Sequence, residues 1–203
     1  MNRQEINNES LDGQNLLLIG GPRMPFTGHE LQYIKYYIES GGSALIIMQE
    51  GGEGRLDTNI NAFLEQVGIS VNSDSVIRKH FFKYLHPKEC FVGNGILNKE
   101  LVRVAKGEAK QAGQKAGKYA KRYARNNDDL IERDENGGLK FVYPYGATLN
   151  VNRPAVPIMS SGPISFPANR PIGAFYTSQR RGKLFVMASM KFFHNEFFEK
   201  EDN

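Results

Sequence analysis

The single cysteine, Cys90, is the first residue to consider for catalysis. A cysteine nucleophile that hydrolyses amides sits on a tight turn between a strand and a helix, and a histidine and a carboxylate activate it. Cys90 lies within Lys88-Glu-Cys-Phe-Val92, which lacks the flanking glycines of such a turn. We therefore interpret Cys90 as a small buried hydrophobe, and we expect no catalytic residue and no enzymatic activity.

The four histidines do not have the spacing of a metal site. No two of them lie one helical turn apart, and no pair of cysteines accompanies them. His86 precedes Pro87, which biases it towards extended backbone, so we interpret it as part of a structural turn. The sequence therefore predicts no bound metal and no cofactor. The histidines are His29, His80, His86 and His194.

The glycine-rich stretch Gln49–Asn61 is the best candidate for a functional surface. It follows the apolar run Leu45–Met48, which predicts a central strand of a parallel sheet, and α/β folds place binding groups where such strands end. One interpretation is a surface that recognises a protein partner, a sugar or another small ligand. The other is a set of turn glycines with a helix cap and a local arginine–carboxylate pair, which is favoured because the glycine spacing matches no phosphate-binding fingerprint. The candidate partner-binding residues are Glu50, Glu53, Arg55 and Asp57.

Positive charge is concentrated between Arg103 and Arg125, where there are eight basic residues and one acid. Alanines and two tyrosines between the lysines would suit a helix that docks an acidic partner, nucleic acid or anionic lipid. Three glycines would fray this helix, at about 1 kcal/mol each relative to alanine, so a solvated helix is the preferred interpretation. No nucleic-acid-binding motif surrounds the stretch, and we expect no nucleic-acid partner.

Length and composition indicate one domain over residues 1–203, which we expect to be monomeric. The chain is 40% hydrophobic and 24% charged, and it can bury a core without disulfides or metals. Its apolar runs are too short to span a bilayer and its polar start lacks a secretory signal, so we expect no membrane insertion. The single cysteine suits a reducing compartment such as the cytoplasm.

The first half of the chain alternates short apolar runs with helical patterns, which is typical of βαβ units. A buried strand is predicted at Leu16–Ile19, a second strand at Ser43–Met48, and shorter strand pieces at Ile69–Val71 and Val76–Lys79. Helices are predicted after a capping box formed by Thr27 and Glu30, over Ile60–Val67 with Asp57 or Thr58 as cap, over Lys99–Arg125 and over Met190–Lys200.

The second half is extended and rich in proline. Because proline cannot donate to a central ladder, several of its segments must be edges, bends or loops. The whole chain therefore predicts a parallel α/β core from the first half, with mixed or antiparallel strands added from the second. The predicted extended segments are Leu139–Val151, Ala155–Met159, Ile172–Tyr176 and Lys183–Ala188.

Several sequence segments, in the same order along the chain, resemble those of a known family. They are Ser40–Met48, Glu50–Asn61, Tyr84–Glu89, Asn94–Asn98, Phe141–Leu149, Phe166–Ile172, Gly182–Val186 and Glu199–Asn203. Together they resemble the amino-terminal (GIFT) domain of the intraflagellar transport protein 52 family, over roughly residues 13–203. The lysine-rich segment 106–136 departs from the pattern, and we interpret it as an insertion.

The resemblance implies a glutamine-amidotransferase-like or flavodoxin-like (Rossmann-like) sheet with helices on both faces, without amidotransferase activity. It also implies a non-enzymatic scaffold domain that contacts other subunits of intraflagellar transport complex B, in the cilium or flagellum, at the ciliary base and in the cytoplasm. The alternative is a small-ligand or carbohydrate-binding domain that uses the loop from Glu50 to Asp57. A weaker third alternative is nucleic-acid binding through the basic stretch.

Overall fold

The computed structural model describes residues 5–79, 86–105 and 139–198. His80, the segment 106–136 and the predicted helix beyond residue 105 lie outside the described residues. None of the helices in these three ranges has the length and apolar character that a bilayer crossing requires.

The described chain alternates helices and strands at first and is dominated by strands later. Its helices are α1 (Asn8–Leu11), α2 (Gly28–Glu39), α3 (Gly52–Leu56), α4 (Asn61–Leu64), α5 (Lys99–Ala105) and α6 (Asn195–Phe198), with 3₁₀ turns at Glu65–Val67 and Lys191–Phe193. Its strands are β1 (Leu16–Gly20), β2 (Ser43–Ile47), β3 (Ile69–Val71), β4 (Ile77–Arg78), β5 (Glu89–Gly93), β6 (Lys140–Pro144), β7 (Leu149–Val151), β8 (Val156–Ser160), β9 (Ser165–Phe166), β10 (Pro171–Thr177) and β11 (Lys183–Met187).

Five strands form one mixed sheet in the order β1-β2-β11-β10-β8. β1, β2 and β11 are parallel, whereas β10 is antiparallel to both β11 and β8. The predicted parallel core with mixed strands from the second half is confirmed, and β2 lies between two parallel neighbours as predicted. Pro157 lies in β8, at the edge of this sheet, and Pro171 is the first residue of β10, where a missing N–H is tolerated.

Helix α2 covers one face of the five-stranded sheet. The Thr27 hydroxyl accepts a hydrogen bond from the Glu30 N–H at 3.2 Å, and the Glu30 carboxylate accepts one from the Thr27 N–H at 2.9 Å, which confirms the predicted capping box. Ile34 and Ile38 of this helix are buried in one cluster with Ile46 of β2. This cluster packs α2 against the centre of the sheet.

The stretch that follows β2 is not the plain loop that its glycines predicted, because five of its residues form α3. Gly52 takes a φ of 54°, which lets the chain turn sharply and begin α3 soon after β2 ends. Helix α4 confirms the start of the next predicted helix, but its cap is different. The Asn61 N–H donates to the Glu53 carboxylate at 2.6 Å, so neither Asp57 nor Thr58 takes the expected role.

The other face of the sheet is partly covered by the antiparallel pair β5–β6 and by the 3₁₀ turn Lys191–Phe193. The rings of Phe141 and Phe192 meet edge to face, 5.8 Å apart, and pack in one cluster with Met159 and Met187. Among the described residues, the α-helices that join the buried clusters of the sheet do so on one face. Helices were predicted on both faces; among the described residues, α2 lies on one face, and the other face carries the β5–β6 pair and a 3₁₀ turn.

Strand β1 is an edge strand, and the prediction of a buried strand there was wrong. Leu16 and Leu18 are 57% and 59% exposed, whereas Ile19, which points to the opposite face, is buried. Consecutive leucines place apolar side chains on both faces of a strand, so the sequence does not show that only one face of β1 is covered.

The predicted final helix is split into two short pieces. His194 takes extended backbone, with a ψ of 137°, between the 3₁₀ turn and α6. The split lets Phe192 pack on one cluster while Phe197 reaches a different position beside Tyr145.

Candidate functional site

The stretch that follows β2 is tied to two other segments by backbone hydrogen bonds. The Glu50 N–H donates to the Tyr145 carbonyl at 3.2 Å, and the Gly51 N–H donates to the Asp74 carbonyl at 2.8 Å. Gly52 lies so close to Asn72 that a Cβ atom on Gly52 would be 2.6 Å from the Asn72 carbonyl oxygen. The stretch is thus packed against the body of the domain, and only its outer side chains are open to contact.

Glu50 is a buried carboxylate, with 6% of its side chain exposed. It accepts hydrogen bonds from the Arg55 guanidinium, from the Lys88 ammonium at 2.6 Å and from the Ser75 hydroxyl at 2.8 Å. Burial alone would raise the pKa of Glu50, but Lys88, Ser75 and Arg55 together outweigh it and hold this pKa below the ordinary value of 4.5. Glu50 is therefore a charged anchor inside the folded domain.

The other three predicted site residues differ in how open they are. Arg55 keeps 54% of its side chain exposed although its guanidinium reaches Glu50. Asp57 is exposed directly after α3 and takes a φ of 55°. Glu53 is half-buried and caps α4 through the Asn61 N–H. Arg55 and Asp57 are therefore the most exposed members of the set.

Lys88 and Ser75 complete the Glu50 site, and sequence reasoning missed both. The expected local arginine–carboxylate pair is present as Arg55 and Glu50. Ser75 lies 25 positions from Glu50 along the chain, and Lys88 lies further away. No local spacing signals such partners, because the fold alone brings them to the carboxylate.

Aromatic side chains extend the site along the same edge of the sheet. The ring of Tyr145 lies 4.9 Å from the ring of His86, and the ammonium of Lys191 sits 3.9 Å from the Tyr145 ring centroid. Phe197 meets Tyr145 edge to face at 6.3 Å. The Nδ1 atom of His86 accepts from the Lys88 N–H at 3.1 Å, so His86 closes a turn, as predicted.

Cys90 is buried in β5, and its thiol donates to the Val76 carbonyl at 3.4 Å. Burial raises the pKa of this thiol to about 12, so little thiolate exists at neutral pH. In the three ranges that the structure describes, no group of three histidine, cysteine or acidic side chains is arranged to hold a metal ion.

A polar surface cavity of about 570 Å³ lies beside β3 and β7, and nothing in the sequence predicted it. At its wall, Asn150 donates to the Asn72 side-chain oxygen at 2.6 Å and accepts from the Arg170 guanidinium at 2.7 Å. Ser70 and Asn152 also line it. The cavity offers amide, hydroxyl and guanidinium groups to a polar ligand.

The chain is similar to known proteins over almost its whole length. The profile of the IFT52 GIFT domain matches residues 1–203. The chain is 44% identical over 207 residues to the Intraflagellar transport protein 52 homolog of Mus musculus, and 42% identical over 206 residues to that of Homo sapiens. These alignments cover 99% of the chain but 44% and 43% of the two relatives, so the chain spans less than half of their length.

A solved structure supports the same assignment. The mmIFT52 N-terminal domain has a TM-score of 0.77 with this chain at 41% sequence identity, and the match covers 98% of this chain and 76% of that one. The family profile, the two curated relatives and this structure agree over nearly every residue. The chain belongs to the intraflagellar transport protein 52 family, and its 203 residues correspond to the GIFT domain of that family.

Proposed function

We propose that this domain is a non-enzymatic scaffold of an intraflagellar transport complex B subunit, and that it acts by holding protein partners during cilium assembly and ciliary transport. The curated relatives, which match nearly the whole chain, are named for intraflagellar transport. The partners are other subunits of complex B, and the domain itself is monomeric. It works in the cilium or flagellum, at the ciliary base and in the cytoplasm.

The exposure of Arg55 beside the buried Glu50 is the observation that supports a role for this arginine in partner contact. The buried, charged Glu50 holds the guanidinium of Arg55, which limits the conformations that the arginine must lose on binding. More than half of the Arg55 side chain is nevertheless exposed, and Asp57 lies exposed nearby on the same turn. A planar guanidinium of this kind suits a carboxylate or a carbonyl of a partner.

We assign the four predicted residues two kinds of role within this surface. Arg55 and Asp57 contact the partner. Glu50 orients Arg55, and Glu53 holds the stretch in place by capping α4. Replacing Glu50 would therefore weaken binding through Arg55 rather than by removing a contact.

The surroundings of Cys90 support a role without catalysis. Its thiol is buried, donates to a main-chain carbonyl and has its pKa raised to about 12. A thiol of this kind is a poor nucleophile at neutral pH. The domain then resembles an amidotransferase-like sheet in its architecture alone, without the activated cysteine that amide hydrolysis needs.

Binding of a small polar ligand is the second candidate function, and the cavity beside β7 is the observation that favours it. Asn150, Asn152 and Arg170 offer several hydrogen-bonding groups to a sugar or a similar molecule. Isothermal titration with a panel of mono- and disaccharides tests this function. Binding that is lost in an Asn150→Ala variant would support it.

A pull-down with purified transport subunits, added one at a time, tests the scaffold function. The variants are Arg55→Met and the matched control Lys88→Met, because each removes one cation from Glu50. If Arg55 contacts the partner, Arg55→Met weakens capture and Lys88→Met does not. An equal loss in both variants would mean that Arg55 only braces its own turn, and failure to capture any subunit would contradict the scaffold function.

A further inference from the structure

The polar cavity beside β3 and β7 lies on one face of that strand pair. Ser70 and Asn150 are directly opposite each other in the strand register, so their side chains share a face, whereas their neighbours Ile69 and Leu149 are buried on the other face. Both polar side chains line the cavity, whose volume of about 570 Å³ falls within the range of roughly 300–1,000 Å³ that small-molecule sites occupy. The floor of the cavity is therefore a pair of strands whose opposite face belongs to the core.

A chain of side-chain hydrogen bonds holds the guanidinium of Arg170 at the wall of this cavity. The guanidinium donates to the Asn150 amide oxygen at 2.7 Å, and the Asn150 amide nitrogen donates to the Asn72 side-chain oxygen at 2.6 Å. Asn72 donates in turn to the Thr148 hydroxyl at 2.8 Å, and this hydroxyl donates to the Asp74 carboxylate at 2.7 Å. Because a guanidinium has five N–H groups, Arg170 keeps donors for a ligand while its orientation is already set.

Glu65 brings a carboxylate to the same cavity. It is exposed in the 3₁₀ turn that precedes β3, and no ion pair joins it to a cation within the described ranges. Arg170 and Glu65 are the two charged residues among those that line the cavity. A ligand with a single charge pairs with one of them and leaves the other without a counter-charge, whereas a ligand with both charges matches the two together.

We propose that this cavity binds a small zwitterion, either a free amino acid or a short peptide with free ends, through Arg170 at its carboxylate and Glu65 at its ammonium. The Asn152 amide and the Ser70 hydroxyl offer hydrogen bonds to the polar groups between the two charges. The proposal rests on the second candidate function, the binding of a small polar ligand, and names a ligand with two charges in place of a sugar. It does not depend on the scaffold function.

Titration of the isotope-labelled chain, followed by NMR chemical shifts, tests the ligand class. The probes are the amino acids with uncharged side chains, their dipeptides with glycine, and glucose as an uncharged ligand. The tightest binder is then tested with an acetylated amino end, which removes its positive charge, and with an amidated carboxyl end, which removes its negative charge. We expect each modification to weaken binding about tenfold, and glucose to bind at least tenfold more weakly than the unmodified ligand.

Variants assign the two charges of the ligand to their residues. Arg170→Gln should weaken the tightest binder about tenfold and abolish the difference between its free and amidated forms. Glu65→Gln should do the same for its free and acetylated forms. Arg180→Gln changes another exposed arginine, which does not line this cavity, and should leave the affinity unchanged. Melting temperatures confirm that each variant is folded.

Two kinds of result would overturn the proposal. Tighter binding of glucose than of any amino acid or dipeptide, or equal binding of the free and blocked forms, would contradict the zwitterion and leave the binding of a polar ligand intact. Binding of no compound in the panel would contradict both the zwitterion and the ligand-binding function. Neither result bears on the capture of transport subunits, which the pull-down tests separately.

Discussion

The charged group around Glu50, which follows β2, and the exposed leucines Leu16 and Leu18 of the neighbouring strand β1 are organised in opposite ways. Glu50 is buried, and three neighbours in the same domain satisfy its charge. Leu18 is apolar, yet more than half of it is exposed. Side-chain type alone therefore does not indicate which surface is available. The charged Glu50 after β2 forms its bonds inside the domain, whereas the apolar Leu16 and Leu18 are mostly exposed.

The largest expected effect concerns the backbone that carries the charged group. Gly52→Ala should lower the free energy of unfolding by about 3 kcal/mol, because the new Cβ would meet the Asn72 carbonyl at 2.6 Å and φ is 54°. Gly54→Ala is the matched control two residues away. Its Cβ meets nothing within 4 Å, so it should stabilise α3 by about 0.5–1 kcal/mol.

Urea denaturation of both variants measures this difference. Equal stability of the two variants would mean that the stretch after β2 adapts freely, and the charged group would then be no more rigid than an ordinary loop.

The second largest effect on stability is expected from neutralising Glu50. Glu50→Gln should lower the free energy of unfolding by about 2 kcal/mol. Breaking a fully buried pair typically costs about 3–5 kcal/mol, but Arg55 and Lys88 are partly exposed and can turn to water, which reduces the loss. Urea denaturation gives the value, and a change smaller than that of Lys88→Met would show that Glu50 is not the centre of the group.

Acid should destabilise the protein through the same carboxylate. The folded-state pKa of Glu50 is lowered, so its stabilising contribution is fully present above the unfolded-state pKa and is lost as the pH falls through the folded-state value. Glu30 acts in the same direction, because hydrogen bonds from Thr27 and Ile6 outweigh the effect of burial and lower its pKa.

Melting temperatures measured from pH 7 downwards check this sign. The wild-type protein should lose stability below about pH 4.5, and Glu50→Gln should lose less over the same interval. Parallel curves for the two proteins would contradict the lowered pKa of Glu50.

The smallest effect is expected at the exposed Leu18 of β1. Leu18→Ala should change the free energy of unfolding by less than about 0.5 kcal/mol, since the side chain is mostly exposed. The same substitution at the buried Leu184 should cost about 3 kcal/mol. Comparable losses at the two leucines would show that Leu18 is covered in solution, and the contrast between the two regions would disappear.

The parts of the fold that could be predicted depend on short sequence distances. Thr27 and Glu30 lie three residues apart, so the capping box is visible in the sequence. The apolar run that forms β2 is bounded by glycines and a helix, which indicates a central strand. A local arginine–carboxylate pair was one interpretation of the loop, and the structure forms it from Arg55 and Glu50, which lie five residues apart.

The parts that could not be predicted depend on pairing between distant segments. The insertion of β11 between β2 and β10 brings distant segments of the chain together in one sheet. Lys88 likewise contacts Glu50 because the fold brings two distant segments of the chain together. The exposure of Leu18 likewise depends on what lies over β1, and three consecutive leucines carry no information about that.

The central claim is that Arg55 contacts a partner and that Glu50 fixes the orientation of the Arg55 guanidinium before binding. One measurement tests this claim most directly. The affinity of the wild-type domain, Arg55→Met and Lys88→Met should be measured by titration calorimetry against purified complex B subunits, which we propose as its partners. We predict that Arg55→Met weakens binding by about 2 kcal/mol while Lys88→Met, with a similar loss of stability, changes it little. Unchanged affinity in Arg55→Met, measured on a variant that is still folded, would contradict the claim.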